Sequence, residues 1–210
     1  MNFISKFTKK DFYFSVVTGL ITGFSAWRVF KYLEIVEFGN YSFAWLVLIV
    51  PVLWILGVKF GYFLGQWLTF FNQFGKFAAI GFTNAAVDFG VLNLLIANTG
   101  ISAGGWYTVF KMVSFISAIV PSYFWNKHWA FSSSQGVALT SNGGFRFAKF
   151  ISVAIVSIFI NTGIASLVVN YINPLGGLGL EVWANVGAVA GSAVALMFSF
   201  VGFKMAVFKK

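Results

Sequence analysis

The sequence predicts an all-α polytopic membrane protein with six transmembrane helices, the last four forming a tandem repeat of two parallel helical hairpins. Apolar residues make up 59% of the 210 residues and charged residues only 9%, whereas soluble domains carry roughly a quarter charged residues. Six apolar runs are each long enough to cross a bilayer, which takes about 20 residues. These runs lie at about 12–30, 43–65, 77–97, 106–125, 147–170 and 182–203.

The composition argues against several classes of function. The chain has no Cys, five acidic residues and one His, so thiolate metal sites, disulfides and cysteine nucleophiles are excluded. No nucleophile–base pair and no GxxxxGK[ST] phosphate loop is visible, and we expect neither an enzyme nor a cofactor. The net charge of +9 comes from basic residues scattered between apolar runs, which does not indicate a nucleic-acid partner.

The distribution of basic residues predicts the orientation in the cell membrane. With the N-terminus inside, eleven of the fourteen Lys and Arg residues fall on cytoplasmic segments, two fall outside, and Lys111 lies within a span. The outer loops near 98–106 and 171–181 have no basic residue. The positive-inside rule therefore places both termini in the cytoplasm.

The first two spans form an N-terminal transmembrane hairpin, predicted as a domain of residues 1–73. Gly19 and Gly23 have the spacing that lets membrane helices approach closely. Lys59 lies deep in the second run, so two interpretations stay open. Either Lys59 reaches back to the inner surface, or the span ends early and the following aromatic stretch lies along the interface.

The last four spans, in a predicted domain of residues 74–210, contain an internal repeat. "KFAAIGFTNAAVDFGVLNLL" from Lys76 aligns without gaps to "KFISVAIVSIFINTGIASLV" from Lys149, and the second helices align from Trp106 and Trp183. Both hairpins enter and leave on the same side, which is typical of parallel repeats related by an axis along the membrane normal. The repeats span 74–131 and 146–208, and pair Asn84 with Ser157, Asp88 with Asn161, Ser122 with Ser199, and Lys127 with Lys204.

Polar residues recur at matching depth in the two repeats. Asp88 lies near the middle of its span, where a charge costs at least about 2.5–3.5 kcal/mol, and Asn84 lies one turn earlier on the same helix face. Lys111 of the next helix is predicted roughly one turn nearer the outside. Either Asp88 and Lys111 form a structural ion pair, or the polar residues line a groove through which a polar group passes.

Two stretches resemble known motifs. "FGKFAAIGFTNAAVDFGVLNLL" resembles the opening helix of GtrA-like proteins, which read Lys/Arg-Phe, then Gly, then Asn-x-x-x-Asp. "YFWNKHWAF" resembles the Asn-Arg-x-Trp-x-Phe ending of that family's second helix. The resemblance covers about residues 74 to 208 and departs from the family in having Lys at position 127 and an extra N-terminal hairpin. By position, the family's motif falls on Asn84, Asp88, Asn126, Lys127, Trp129 and Phe131.

The resemblance implies a flippase that moves a polyprenyl-phosphate-linked sugar from the cytoplasmic to the outer leaflet, for cell-envelope glycosylation. Its partners would be that sugar lipid and the surrounding membrane lipids. On this hypothesis the phosphate is gathered at the inner surface by Lys76, Lys127, Arg146, Lys149 and Lys204. The substrate is otherwise bound by Asn84, Asp88, Lys111, Ser122, Asn126, Lys127, Ser157 and Asn161.

Two alternatives stay open. One is a proton-coupled small-molecule exporter of the small multidrug resistance type, which also centres on one membrane acid. Lys111 close to Asp88 argues against it, because a nearby positive charge repels cations. The other is a membrane anchor for a glycosyltransferase partner. Assembly into a homo-oligomer is compatible with each of these functions.

Overall fold

The computed structural model describes residues 7–35, 42–69, 71–130 and 143–202, and at 143–150 and 200–202 it describes the backbone alone. Within these ranges the chain is helical and forms no strand. A 3₁₀ turn, Phe43–Trp45, precedes the second helix, and a π-helix, Asn126–Ala130, follows the fourth. The α-helices are α1 (Lys9–Tyr32), α2 (Leu46–Leu64), α3 (Phe71–Thr99), α4 (Gly104–Trp125), α5 (Gly143–Tyr171) and α6 (Leu180–Gly202).

Five of these helices are long and apolar enough to cross a membrane, and α1 is a sixth helix of 24 residues. Large apolar side chains are exposed along them, for example the row of Leu48, Val52 and Leu56 on α2. Such exposed rows suit a hydrocarbon solvent, in which helices satisfy their own backbone hydrogen bonds. The predicted fold class, an all-α polytopic membrane protein, is confirmed. That α1 crosses the membrane stays a prediction.

The contacts divide the chain into two compact units, each with its own core. The first unit comprises Met1–Gly90 and Val120–Gln135, and the second comprises Val91–Ile119 and Gly136–Lys210. The division therefore passes through α3 and α4. The predicted domain boundary near residue 73 stays a prediction.

The core of the first unit joins four elements. Val58 of α2, Ile80 of α3 and Trp129 of the π-helix are buried together, and Phe14 of α1 packs against them. The N-terminal hairpin thus contributes side chains to the same core as α3 and the π-helix.

Helices α1 and α2 approach closely at two glycines, as the spacing of Gly19 and Gly23 predicts. A Cβ atom added at Gly19 would collide with the backbone of Pro51. One added at Gly23 would lie 2.8 Å from the Cα atom of Val47. Because the obstructing atoms are backbone atoms, they cannot rotate away.

We expect Gly23→Ala to destabilise the first unit by about 1–3 kcal/mol, the usual cost of overpacking. Gly57→Ala on α2 is the matched control, because a Cβ there meets nothing within 4 Å and Ala favours the helix. Unfolding of the detergent-solubilised chain, followed by circular dichroism, measures both. Equal midpoints for the two variants would contradict the close approach.

Lys59 lies inside α2, which continues to Leu64 before turns lead into α3. Its side chain is exposed, and its Nζ lies 5.3 Å from the ring centroid of Phe7. The structure favours a continuous second helix over one that ends early at Lys59.

Equivalent hydrogen bonds join the two helices of each repeat. In the first unit Asn84 Nδ2 donates to Ser122 Oγ at 2.6 Å. In the second unit the aligned residues, Ser157 and Ser199, are hydrogen-bonded through their hydroxyls at 2.7 Å. The repeat seen in the sequence is therefore also a repeat of side-chain contacts.

Within the second unit the two hairpins contact each other through equivalent positions. Asn93 and Asn185 exchange two hydrogen bonds of 2.7 and 2.8 Å between their side-chain amides. The alignment pairs Asn93 with Ser166 and Thr108 with Asn185, and the hydroxyls of Thr108 and Ser166 are also hydrogen-bonded. The contact of Asn93 with Asn185 therefore has its counterpart in the contact of Ser166 with Thr108, with the two hairpins in exchanged roles. Such paired contacts are expected for parallel repeats.

Candidate functional site

Three predicted site residues form one hydrogen-bonded group, the amide–serine cluster of Asn84, Ser122 and Asn126. Ser122 Oγ accepts from Asn84 Nδ2 at 2.6 Å and from Asn126 Nδ2 at 3.1 Å. Asn126 Nδ2 also lies 3.0 Å from the main-chain oxygen of Ser122. One serine hydroxyl thus holds two asparagine side chains from different helices.

The local fold explains why Ser122 and Asn126 meet. They are four residues apart, so a helix places them on one face. Pro121, immediately before Ser122, lies inside α4, where its ring nitrogen donates no helix hydrogen bond. At Asn126 the α-helix changes to a π-helix, a feature that often accompanies functional sites.

The amide–serine cluster has two unsatisfied acceptors. The side-chain oxygens Oδ1 of Asn84 and Asn126 are buried and have no hydrogen-bond partner in the described part of the chain. An unsatisfied buried acceptor costs about 1–3 kcal/mol. The arrangement therefore favours a ligand that brings hydrogen-bond donors, such as hydroxyl groups.

The second repeat places the corresponding polar residues in its own unit. Ser157 is buried and bonded to Ser199, and Asn161 is fully buried with its Nδ2 3.1 Å from Ser192 Oγ. The Oδ1 of Asn161 has no hydrogen-bond partner among the described residues. An unsatisfied amide oxygen thus recurs in the second repeat.

Asp88 and Lys111 are an acidic and a basic residue buried in the spans that the structure describes. Asp88 of the first unit is 2% exposed, and Lys111 of the second unit is fully buried. Lys111 Nζ lies 5.9 Å from the ring centroid of Phe115. Buried charges in membrane helices are costly and mark functional positions or pairs. The pairing of Asp88 with Lys111 stays a prediction.

The predicted phosphate-binding cations differ in their surroundings. Lys127 is exposed, and its Nζ lies 5.6 Å from the ring centroid of Tyr123. Lys76 is 12% exposed and its Nζ lies 2.6 Å from Asp11 Oδ1, so its charge is already balanced by a carboxylate. Arg146 and Lys149 lie in α5 where the structure describes the backbone alone. Lys204 lies outside the described residues, as does Phe131.

Asp11 is a buried acidic residue of the first unit that the sequence analysis did not single out. It lies in the first turn of α1 and forms a capping box with Thr8. Its main-chain N–H donates to Thr8 Oγ1 at 3.1 Å, and its carboxylate accepts from the main-chain N–H of Thr8 at 3.0 Å. Asp11 precedes the first predicted span. Burial raises its pKa, but hydrogen bonds from Lys76, Thr8 and Trp129 outweigh burial and hold the pKa below its usual value. These contacts therefore favour the ionised form of the carboxylate.

Two signals in the sequence point to Asp11. One is the capping-box pattern, in which a Thr is followed three residues later by an acid. The other is the scarcity of acids, five in the whole chain. Neither signal identifies Lys76 as its partner.

The described residues offer no group of three or more His, Cys, Asp or Glu side chains that could hold a metal ion.

Comparisons with known proteins give one match. The family model described as GtrA/DPMS, transmembrane domain, matches residues 76–208. The match begins at Lys76, inside α3, and includes the rest of α3 and all of α4, α5 and α6. No curated protein and no solved structure gives a match.

Proposed function

Because the chain belongs to the GtrA/DPMS transmembrane-domain family, we propose that it is a flippase for a polyprenyl-phosphate-linked sugar. It would move the sugar headgroup from the cytoplasmic to the outer leaflet, to supply cell-envelope glycosylation. The polyprenyl chain is apolar and dissolves in lipid, whereas the headgroup is polar and charged and does not. Moving the bare anion through hydrocarbon costs tens of kcal/mol in the Born limit, so a protein must supply polar contacts along the way.

The observation that carries this proposal is the amide–serine cluster with its unsatisfied oxygens. Sugar hydroxyls are hydrogen-bond donors, and the Oδ1 atoms of Asn84 and Asn126 are buried acceptors with no partner among the described residues. Asn161 offers the same kind of acceptor in the second repeat. Asp88 of the first unit and Lys111 of the second unit are further buried polar residues within the spans.

In this proposal Lys127 contacts the phosphate at the inner surface, together with Arg146, Lys149 and Lys204. Both termini lie in the cytoplasm, as the positive-inside rule predicts. Net transport is driven by consumption of the sugar lipid outside. An inside-negative membrane potential adds about 2.3 kcal/mol per charge per 100 mV.

Delivery of a polyprenyl-phosphate sugar to the outer leaflet of proteoliposomes tests the proposal. We expect Asn126→Leu to slow delivery about 2- to 12-fold, because a neutral hydrogen bond contributes about 0.5–1.5 kcal/mol. Asn98→Leu is the matched control: Asn98 is exposed, and its Nδ2 donates to Leu94 O of its own helix at 2.7 Å.

The controls separate the alternatives. A chain that only anchors a glycosyltransferase would give delivery no faster than empty vesicles. A proton-coupled exporter would instead move an organic cation, and Asp88→Asn would abolish that activity. Delivery by the wild type that Asn126→Leu and Asn98→Leu leave equally unchanged would contradict a role for the amide–serine cluster.

A further inference from the structure

The carboxylate of Asp11 is surrounded by hydrogen-bond donors. Its Oδ1 accepts from Lys76 Nζ at 2.6 Å and from Trp129 Nε1 at 2.9 Å. Its Oδ2 accepts from Tyr62 Oη at 3.0 Å and from the main-chain nitrogen and hydroxyl of Thr8 at 3.0 and 2.9 Å. Asp11 is only 1% exposed. These five residues form the carboxylate cluster.

The carboxylate cluster joins residues outside the family match to residues inside it. Asp11, Thr8 and Tyr62 come from the N-terminal hairpin, which lies outside the family match at 76–208. Lys76 and Trp129 lie inside the match and at positions of the GtrA-like motifs. The extra hairpin thus brings a negative charge onto two residues of the family domain.

Without Asp11, the remaining donors form an anion site. An ammonium, an indole N–H and a phenol O–H converge on the carboxylate oxygens, and phosphate oxygens accept from the same kinds of donor. We infer that Lys76 Nζ, Trp129 Nε1 and Tyr62 Oη bind the phosphate of a lipid headgroup, and that Asp11 occupies this site as an internal competitor. The inference rests on the proposed function for the identity of the lipid.

An apolar groove beside this site supports a lipid rather than a soluble phosphate. The groove encloses about 250 Å³ between α2 and α3. Gly61 and Gly75, the residues that precede Tyr62 and Lys76 in the chain, both line it. Its other lining residues include Leu53, Trp54, Gly57, Phe60, Phe74 and Phe82.

The length of the groove matches one leaflet. From Leu53 to Leu64 of α2 it extends roughly 16 Å at about 1.5 Å per residue, about half of a hydrocarbon core roughly 30 Å thick. A phosphate held by Lys76 would place an attached apolar chain at the entrance of this groove. Inorganic phosphate would make no use of it.

Competition between two anions explains why the site carries its own carboxylate. Removing the partner of a buried ion leaves an uncompensated charge, which is strongly unfavourable. Asp11 therefore compensates the charge of Lys76 until another anion takes the place of its carboxylate. A neutral ligand cannot take that place. A phosphate can, because it is an anion with several acceptor oxygens: three in the monoester of a polyprenyl phosphate, and two non-bridging oxygens with one negative charge in the diester of a sugar-linked lipid. Asp11 lies in the first turn of α1, and helix ends open more easily than helix centres.

Binding of a short-chain polyprenyl phosphate to the detergent-solubilised full chain tests the inference. Asp11→Asn removes the competing charge and keeps the side-chain shape. We expect affinity to rise about tenfold or more, since a hydrogen bond to a charged group is worth at least that factor. Lys76→Gln and the double variant Asp11→Asn/Lys76→Gln should bind equally weakly. A gain that persists without Lys76, or no gain in Asp11→Asn, overturns the inference.

Thr8→Ala is a second variant in case Asp11→Asn folds poorly. It removes the hydroxyl donor to Asp11 and the cap of α1, but it leaves Lys76, Trp129 and Tyr62 unchanged. We expect a smaller gain in affinity in the same direction. A loss of affinity in Thr8→Ala would show that Asp11 supports the site rather than competes for it.

Gly57→Leu tests the groove. Gly57 lines the groove, and a Cβ atom there meets nothing within 4 Å, so the first atom of a larger side chain is tolerated at this position. We expect Gly57→Leu to weaken binding of the polyprenyl phosphate and leave binding of inorganic phosphate unchanged. Gly163→Leu on α5, equally open, is the control. Equal affinities of the two variants for the polyprenyl phosphate would overturn the groove as the chain site.

Two further arms distinguish this inference from the proposed function. If Asp11→Asn gains affinity for phosphatidic acid but not for the polyprenyl phosphate, the anion site stands and the proposed substrate is wrong. If the wild type delivers the sugar lipid while Asp11→Asn binds it no better, the proposed function stands and the inference is wrong.

Discussion

Trp129→Ala is expected to lower the free energy of unfolding by about 3–5 kcal/mol, the usual cost of truncating a buried Trp. Trp129 is fully buried, and its ring stacks on Phe14 of α1 at a centroid distance of 5.4 Å. Its Nε1 also donates to Asp11 at 2.9 Å. The substitution therefore opens a cavity and takes a donor from a buried carboxylate. Reversible unfolding in mixed micelles measures the change.

Two control variants separate packing from hydrogen bonding. Trp129→Phe keeps most of the buried ring and loses only the indole N–H, so we expect a cost of about 1.5–3 kcal/mol, as for a hydrogen bond to a charged group. Trp106→Ala removes an indole that is 63% exposed and is expected to change stability little. If Trp129→Ala unfolds at the same midpoint as Trp106→Ala, Trp129 does not anchor the N-terminal hairpin.

The sequence predicted the helices well because composition and length determine them in a membrane. Long apolar runs must become helices, since lipid offers the backbone no hydrogen bonds. The alignment of the repeats paired Asn84 with Ser157 and Ser122 with Ser199, without predicting which side chains touch. Asn84 and Ser122 are hydrogen-bonded to each other, and so are Ser157 and Ser199.

The sequence could not predict the carboxylate cluster. The orientation of the chain alone explains a Lys at position 76, a predicted cytoplasmic helix end. The residues near it in the sequence therefore did not indicate an acidic partner. Its pairing with Asp11 depends on how α1 packs against α3 and the π-helix, which is a tertiary property. The same holds for Asn93 and Asn185, whose reciprocal hydrogen bonds join two hairpins.

The N-terminal hairpin contacts two positions of the family motif in this chain. Trp129 sits at the motif's Trp position, yet here it is covered by Phe14 and bonded to Asp11. Lys76 stands at the motif's Lys/Arg position, and Asp11 balances its charge. Lys127 is the motif cation whose side chain is exposed. If the proposed function holds, the first contact with a phosphate at the inner surface should therefore depend most on Lys127.

Lys127→Ala is accordingly expected to reduce outer-leaflet delivery of the polyprenyl-phosphate sugar about 10- to 150-fold. A hydrogen bond to a charged group is worth about 1.5–3 kcal/mol, and about 1.4 kcal/mol corresponds to a factor of ten in rate. Lys127 directly follows Asn126 of the amide–serine cluster, so loss of its charge acts where the sugar is proposed to enter. Initial rates in proteoliposomes, at equal protein content, measure the effect.

Lys127→Arg and His128→Ala complete the experiment. Arg stands at this position in the GtrA-like motif and offers phosphate a two-pronged donor, so Lys127→Arg should keep or raise the rate. His128 is the exposed neighbour of Lys127, and its removal should leave the rate within about twofold, since exposed substitutions away from a site have small effects. If Lys127→Ala and His128→Ala deliver the lipid equally fast, or if Arg fails to replace Lys, the phosphate does not contact position 127. Transport would then have to begin at another cation.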